Sequence, residues 1–273
     1  MKISILGCGW LGFPLAKSLV EKGFSVNGST TSENKLSSLS SAGISPFIVS
    51  LSAVEVSEET KKSINLFLEN SEILIIDIPP KLRGGFSDTS TALSMTFVSK
   101  IKNLIPFIEK SAVKKVIFVS STSVYADTNS EITENTQAQP ETESGKQLLE
   151  AERLLLSNSN FQTTVVRFGG LIGEDRHPIY FLAGRKNIEN PDAPINFIHQ
   201  KDCIGIIEDI ISKGIYAEIF NAVTPFHPTR KDYYTQKAIK LKLPLPEFET
   251  SKPSVGKLIL SEKAKNILGY QFK

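Results

Sequence analysis

The sequence predicts an α/β protein, a doubly wound parallel sheet with a smaller C-terminal α/β lobe. Three observations carry this. Short apolar strands alternate with helical stretches from the first residues onward, an order that requires crossover connections and hence parallel strands. The first of these junctions is a glycine-rich turn set directly between strand and helix. At 273 residues the chain has room for a main domain and a smaller one, at about 150 residues per domain.

Ile3, Ile5 and Leu6 form the first strand, and Leu11, Leu15, Leu19 and Val20 follow at helical spacing. Residues 24–26 then read as a strand, 33–39 as a short helix, 47–49 as a strand, 58–68 as a helix and 73–76 as a buried strand. A loop over 79–87, centred on Arg83-Gly84-Gly85, leads into a long amphipathic helix over 91–109. Residues 116–119 form the next buried strand, 143–156 a helix and 163–167 a further strand. After Gly173 the elements shorten: a strand at 195–198, a helix at 201–211, a strand at 218–221, a helix at 229–239, a proline-rich stretch at 243–253 and a final helix at 261–268. No internal repeat or solvated linker interrupts this order. The expected division is a main domain over 1–170 and a smaller lobe over 171–273, whose strands are free to return to the main sheet.

Composition narrows the partners. Thirty-one basic against 29 acidic side chains leave a net charge of +2, without the concentrated excess that nucleic acid or an anionic membrane surface requires. Two cysteines, Cys8 and Cys203, and three histidines, His177, His199 and His227, supply neither a disulfide framework nor a zinc-type cluster, so no metal is expected and the cytoplasm is the expected compartment. Glycines at 7, 9 and 12 break the opening twenty residues where a signal peptide needs an apolar core. No run reaches the roughly 18 apolar residues of a membrane span, and Asp77 cuts even the 73–76 strand short.

Gly7-Cys8-Gly9-Trp10-Leu11-Gly12 is a complete G-x-G-x-x-G between a strand and a helix, the Rossmann-type dinucleotide turn. In it Gly7 permits the tight turn, Gly9 lets the backbone approach a pyrophosphate, and Gly12 lets the helix pack on the strand. The helix amides, with Trp10 and Leu11 among the turn residues, then face the anion. At the end of the second strand an acidic residue normally holds the ribose hydroxyls of NAD. Here Thr30, Thr31 and Ser32 stand instead, followed one turn later by Lys35, which favours NADP over NAD. Capping of the helix that starts at Glu33 explains the same residues equally well. Asp77 and Pro79 end the 73–76 strand beside the expected cofactor position, although prolines there also simply stop a strand.

Val116-Ile117-Phe118-Val119-Ser120-Ser121-Thr122-Ser123-Val124-Tyr125 places a hydroxyl cluster at the end of a central strand. This segment resembles the strand-end serine motif of extended short-chain dehydrogenase/reductases, the NAD(P)-dependent epimerase/dehydratase family. Val166-Arg167-Phe168-Gly169-Gly170-Leu171-Ile172-Gly173 with Arg176 is similar to that family's R-x-x-G-x-x-G segment. Phe197-Ile198-His199-Gln200-Lys201-Asp202-Cys203 is similar to its I-H-x-x-D turn, and Ile219-Phe220-Asn221-Ala222 to its Y-N-x strand. The resemblance extends through most of the chain. The first third is also similar to the cofactor domain of β-hydroxyacid dehydrogenases, but strands continue here past residue 110, where those proteins turn mostly helical.

The resemblance implies that Ser121 hydrogen-bonds the reacting oxygen and that Lys146, on the helix starting near residue 143, holds the nicotinamide ribose. Four residues before Lys146 the family's tyrosine is replaced by Thr142, whose hydroxyl is too weak an acid to replace it directly. Tyr125, Tyr180 and His177 are the alternative proton donors within reach of the motif segments, while His199 and Asp202 fit the orientation and capping of a turn. The expected function is an NADP(H)-binding oxidoreductase or isomerase acting on a small hydroxyl- or carbonyl-bearing substrate such as a nucleotide sugar. The loss of the tyrosine motivates an alternative, a non-catalytic module that senses the cofactor's redox state. Helices 91–109 and 143–156 carry Leu93, Phe97, Ile101, Leu104, Ile105, Leu148, Leu149 and Leu155, more apolar positions than one sheet-facing stripe needs. The resemblance implies a homodimer through them, and burial within one chain is the competing account.

Overall fold

Why the strands pair as they do follows from their residues. β1 (Lys2–Leu6) and β4 (Ile73–Ile76) send Ile3, Ile5, Ile73 and Ile75 to one face and Leu6, Leu74 and Ile76 to the other. Both faces are therefore apolar and both must be covered by helices. The computed structural model describes residues 1–53, 57–80 and 90–273. Its seven-stranded sheet is parallel throughout, in the order β10-β7-β5-β4-β1-β2-β3. Here β2 is Ser25–Thr30, β3 Ser45–Ile48, β5 Lys115–Ser121, β7 Gln162–Phe168 and β10 Ile219–Ala222. The chain winds outward from β1 through β2 and β3, then crosses to β4 and winds the other way. The reversal leaves a crevice beyond the carboxyl ends of β1 and β4, where sheets of this kind bind ligands.

α1 (Gly12–Glu21) and α7 (Gln200–Lys213) cover one face with Leu15, Leu19, Ile206 and Ile210. α3 (Glu58–Leu68), α4 (Ser90–Lys110) and α5 (Glu143–Leu156) cover the other with Phe67, Ile101, Leu104, Leu148 and Leu155. The short α2 (Leu36–Ser41) connects β2 to β3. Thus residues beyond 170 supply both an edge strand and a covering helix of the main sheet. A separate small cluster, Ile179, Ile195, Tyr234 and Ala238, joins α6 (Ile179–Leu182) to α8 (Arg230–Lys240). Two parallel two-stranded pairs complete the fold: β8 (Gly170–Ile172) with β9 (Phe197–His199), and β6 (Glu131–Ile132) with β11 (Leu258–Ile259). α9 (Glu262–Asn266) follows.

The second strand runs four residues past its predicted end because Asn27, Gly28, Ser29 and Thr30 are small or polar and give no apolar signal. Each is nonetheless buried. The Asn27 amide donates to the Phe67 carbonyl (2.7 Å), and a Cβ at Gly28 would lie 2.6 Å from Ile44 and 2.8 Å from the Cys8 sulfur. The expected loop over 79–87 falls, from residue 81 onward, outside the described residues, as does the Leu93 side chain. Of the other apolar positions counted in helices 91–109 and 143–156, Phe97, Ile101, Leu104, Leu148, Leu149 and Leu155 are buried within this one chain. Among the described residues no helix is long and apolar enough to cross a membrane, and no three His, Cys, Asp or Glu side chains gather as a metal site.

Candidate functional site

The crevice is built on the glycine turn. Gly7 has φ +106°, and a Cβ there would stand 2.3 Å from the Asp77 carbonyl oxygen. A Cβ on Gly12 would meet the Gly7 carbonyl at 2.2 Å, so both positions exclude a side chain and α1 seats directly on the strand end. Gly9 is different. A Cβ there has no neighbour within 4 Å, and the residue lines an open cleft of about 410 Å³. The turn thus divides into two glycines that hold it and one that leaves room beside it, as the backbone approach of a pyrophosphate requires. The start of α1 puts the positive end of its dipole at the same place.

Thr30, Thr31, Ser32 and Lys35 form one rim of this cleft, and Asp77 and Pro79 stand at the end of β4. The Ser29 hydroxyl accepts from the Gly7 amide (2.9 Å) and the Ser29 carbonyl from the Cys8 amide (2.8 Å), which locks the end of β2 to the turn. The Thr30 hydroxyl accepts from the Ser32 amide (3.1 Å). Neither Ser32 at the turn over 33–35 nor Lys35 at α2 makes a side-chain cap, so helix capping does not account for these residues. Ser50, Leu51, Phe97, Lys100 and Gln147 also line the cleft, Phe97 as one of the apolar positions of the 91–109 helix. They come from the segment after β3 and from α4 and α5, and no local motif marks them.

Among the described residues Asp77 is the one carboxylate in this lining. Burial pushes its pKa up from 3.8 to about 8, against the opposing effect of the hydrogen bond it accepts from the Gly12 amide. The unfolded chain releases this proton near pH 4 and the folded protein keeps it to about pH 8. Folding therefore takes up a proton across that window, and the Asp77 contribution to stability falls as pH rises through it. Asp77→Asn is expected to flatten that part of the profile, raising Tm at pH 8 more than at pH 4; an equal shift at both pH values would remove Asp77 from the pH dependence.

Several predicted site residues are placed elsewhere. Leu11 is buried in the core. The Trp10 indole donates to Asp175 (2.9 Å) while the Arg176 guanidinium lies 5.0 Å from its ring centroid, so the loop after β8 is clamped to the glycine turn. The Ser121 hydroxyl accepts from the Ser123 amide (3.1 Å) and caps a turn; Ser121 is not among the residues lining the cleft. Lys146 is exposed and lines an adjoining depression with Val98, Pro140 and Arg153, and its neighbour Gln147 lines both that depression and the cleft. The cause is the rotation of α5: Gly145 packs where a Cβ would stand 2.2 Å from the Ser123 carbonyl, which turns Lys146 outward. Thr142 is the N-cap of this helix, accepting from the Gly145 amide (3.1 Å).

The alternative proton donors have other duties. His177 accepts the Ile179 amide on Nδ1 (3.1 Å), so its Nε2–H donates to the Tyr233 hydroxyl (2.9 Å). Burial, with Lys237 adding to it, lowers its pKa to about 4. Tyr180 is exposed. His199 caps α7 through the Lys201 amide (3.2 Å), whereas Asp202 accepts from the Tyr270 hydroxyl (3.0 Å) and the Lys273 amide (2.9 Å).

Tyr125 belongs to a buried polar network. Arg167 donates to Glu152 through Nε (3.1 Å) and Nη2 (2.6 Å), and through Nη1 to the Tyr125 hydroxyl (2.6 Å). Tyr125 in turn donates to Asn221 (3.0 Å), and the Ser120 hydroxyl donates to Glu152 (2.6 Å). Three of the segments that carry the family resemblance, the serine motif, the arginine of β7 and the asparagine of β10, meet in this one network. Their joint work is to tie β5, β7, β10 and α5 together.

A family model described as NAD(P)H-binding matches residues 7–195. Over all 273 residues the chain is 31% identical to Protein YeeZ of Escherichia coli K12, spanning 96% of that protein. Among solved structures, a short-chain dehydrogenase/reductase superfamily protein from Agrobacterium tumefaciens with bound NAD superposes on the whole chain and 93% of its own, with a TM-score of 0.79 at 14% identity. UDP-glucuronic acid 4-epimerase from Bacillus cereus in complex with NAD does so over the whole chain and 92% of its own, with a TM-score of 0.79 at 17% identity. At these identities the likeness to the two structures is one of fold.

Proposed function

Because the chain belongs to the NAD(P)H-binding family, we propose that its glycine-turn cleft holds the adenosine-diphosphate half of NADPH. The protein then acts as an oxidoreductase or isomerase of the epimerase/dehydratase type on a small hydroxyl- or carbonyl-bearing substrate. A nucleotide sugar is the substrate class that the fold neighbours suggest. The observation that carries the reading is Gly9, open to a cleft whose ribose rim, among the described residues, holds hydroxyls and Lys35 and no carboxylate. In the bound state Gly7, Gly9 and Gly12 shape the pyrophosphate seat, Thr30, Thr31, Ser32 and Lys35 face the adenosine ribose, and Asp77 and Pro79 border the turn. The cofactor itself supplies hydride exchange.

Calorimetric titration of nucleotide-free protein tests this. NADPH is expected to bind more tightly than NADH, and binding of neither overturns the reading. A homodimer through α4 and α5 goes with the proposal on the resemblance alone, and a monomer mass in sedimentation removes it. The outward residues Lys146, Glu150 and Arg153 are charged, so such an interface would be polar.

A second reading has its own observation. Thr142 is engaged as a helix cap and Lys146 is exposed and not among the residues lining the cleft, so the residues standing in the family's proton-transfer positions do not both line it. A module that binds the dinucleotide and reports its redox state needs no such convergence. Transfer of deuteride from labelled NADPH to a carbonyl substrate, or from a carbon-deuterated hydroxyl substrate to NADP+, eliminates this second reading.

A further inference from the structure

Among the described residues two cations from separate parts of the chain line the cleft: Lys35, shortly after β2, and Lys100, on α4. One turn beyond Lys100 the Asn103 amide donates to the Ser52 carbonyl (3.1 Å), tying α4 to the segment that follows β3. At the start of that segment the Val49 amide donates to the Thr30 carbonyl (3.1 Å), joining it to the end of β2. Lys100, Ser50 and the hydroxyl rim therefore belong to linked segments of the cleft lining, and Asp77 lies against Gly12. Neither lysine has a salt-bridge partner among the described residues.

A bare ribose diol is recognised by a carboxylate that accepts its hydroxyls. Among the described residues, this part of the lining offers the opposite chemistry, two ammonium groups and four hydroxyl-bearing residues, which suits a dianionic phosphomonoester. Lys35 alone is a flexible point charge at the rim. Lys100 approaches from a different element, so the two can bracket one anion.

We propose that Lys100 is a specificity-determining residue, which together with Lys35 seats the 2′-phosphate of the adenosine ribose. The proposal rests on the reading that this cleft holds the dinucleotide. The strand-end segment carries half of the seat and α4 carries the rest. Discrimination between the two cofactors then depends on a helix that the usual strand-end signature does not include.

The experiment compares wild-type protein, Lys100→Ala, Lys35→Ala, the double variant and Lys100→Arg in titrations with NADPH, NADH, 2′,5′-ADP and 5′-AMP. Each alanine variant is expected to lose about tenfold in affinity for NADPH and 2′,5′-ADP with NADH and 5′-AMP unchanged. The double variant is expected to bind NADPH and NADH alike, Lys100→Arg to retain the preference, and the preference to shrink with added salt. An NADPH preference that survives Lys100→Ala overturns the proposal and leaves cofactor binding intact, as does a wild-type protein that binds both dinucleotides equally. Failure of the wild-type protein to bind any of the four ligands overturns the cofactor reading itself. Equal losses for all four ligands assign Lys100 to packing of the cleft and also overturn the proposal.

Discussion

Glu152→Ala is expected to destabilise the protein by about 3–5 kcal/mol, because it strands a buried guanidinium. The Arg167 and Glu152 side chains are 6% and 1% exposed, and Glu152 accepts two hydrogen bonds from Arg167 and one from Ser120. Among the described residues, removing the carboxylate leaves Arg167 with Tyr125 as its remaining polar side-chain partner and no counter-charge. For a chain of this length the loss corresponds to a fall in Tm on the order of 10 °C. Replacing both partners, Glu152→Leu with Arg167→Met, is expected to recover most of it, since the desolvation of both charges is relieved together. Thermal unfolding of the single and double variants decides the matter. A single variant within about 1 kcal/mol of wild type would mean that water or a neighbouring side chain compensates Arg167, contrary to its burial.

Gly9→Val is expected to lower dinucleotide affinity by at least about 100-fold, roughly 3 kcal/mol, while shifting Tm by no more than a degree or two. A Cβ at this position has no neighbour within 4 Å, so the folded protein accommodates it. The space it enters is that through which a pyrophosphate approaches the turn. Gly12→Ala is the contrasting variant, because its Cβ would stand 2.2 Å from the Gly7 carbonyl and 3.0 Å from Asp77. It is expected to lose stability and binding together. Titration and thermal unfolding on both variants separate the two roles, and NADPH affinity retained by Gly9→Val would show that the pyrophosphate does not pass over this residue.

These expectations depend on parts of the molecule that differ in how far the sequence reveals them. The helices at Glu58–Leu68 and Glu143–Leu156 and the strand Ile73–Ile76 have the limits that their periodicity predicts. So does the glycine turn, whose function is local: three positions, each constrained by atoms within a few residues or on the adjacent strand. β6, β8 and β11 leave no such trace. They are two or three residues long and exist because distant segments meet, Leu258 beside Glu131 and Gly170 beside Phe197.

The site divides in the same way. Thr30, Thr31, Ser32 and Lys35 are readable because they follow one strand. Lys100, Phe97 and Gln147 reach the cleft only through the packing of α4 and α5, which single-sequence periodicity does not orient. Lys146 shows how spacing misleads: it stands four residues after Thr142, as the resemblance requires, yet the contact of Gly145 with Ser123 sets the rotation of the helix and sends the neighbouring Gln147 inward. Residues of the resembling motifs, Arg167 and Asn221 among them, serve as ties between strands.

The clamp on Trp10 gives the molecule an optical property. Trp10 is the single tryptophan of the chain, and it lies within the glycine turn, with Asp175 on its indole nitrogen and Arg176 over its ring. All indole emission from this protein therefore originates at one address, beside the expected pyrophosphate seat. Changes in charge or hydration at the turn, or a displacement of the 173–176 loop, register directly in the fluorescence of the unlabelled protein.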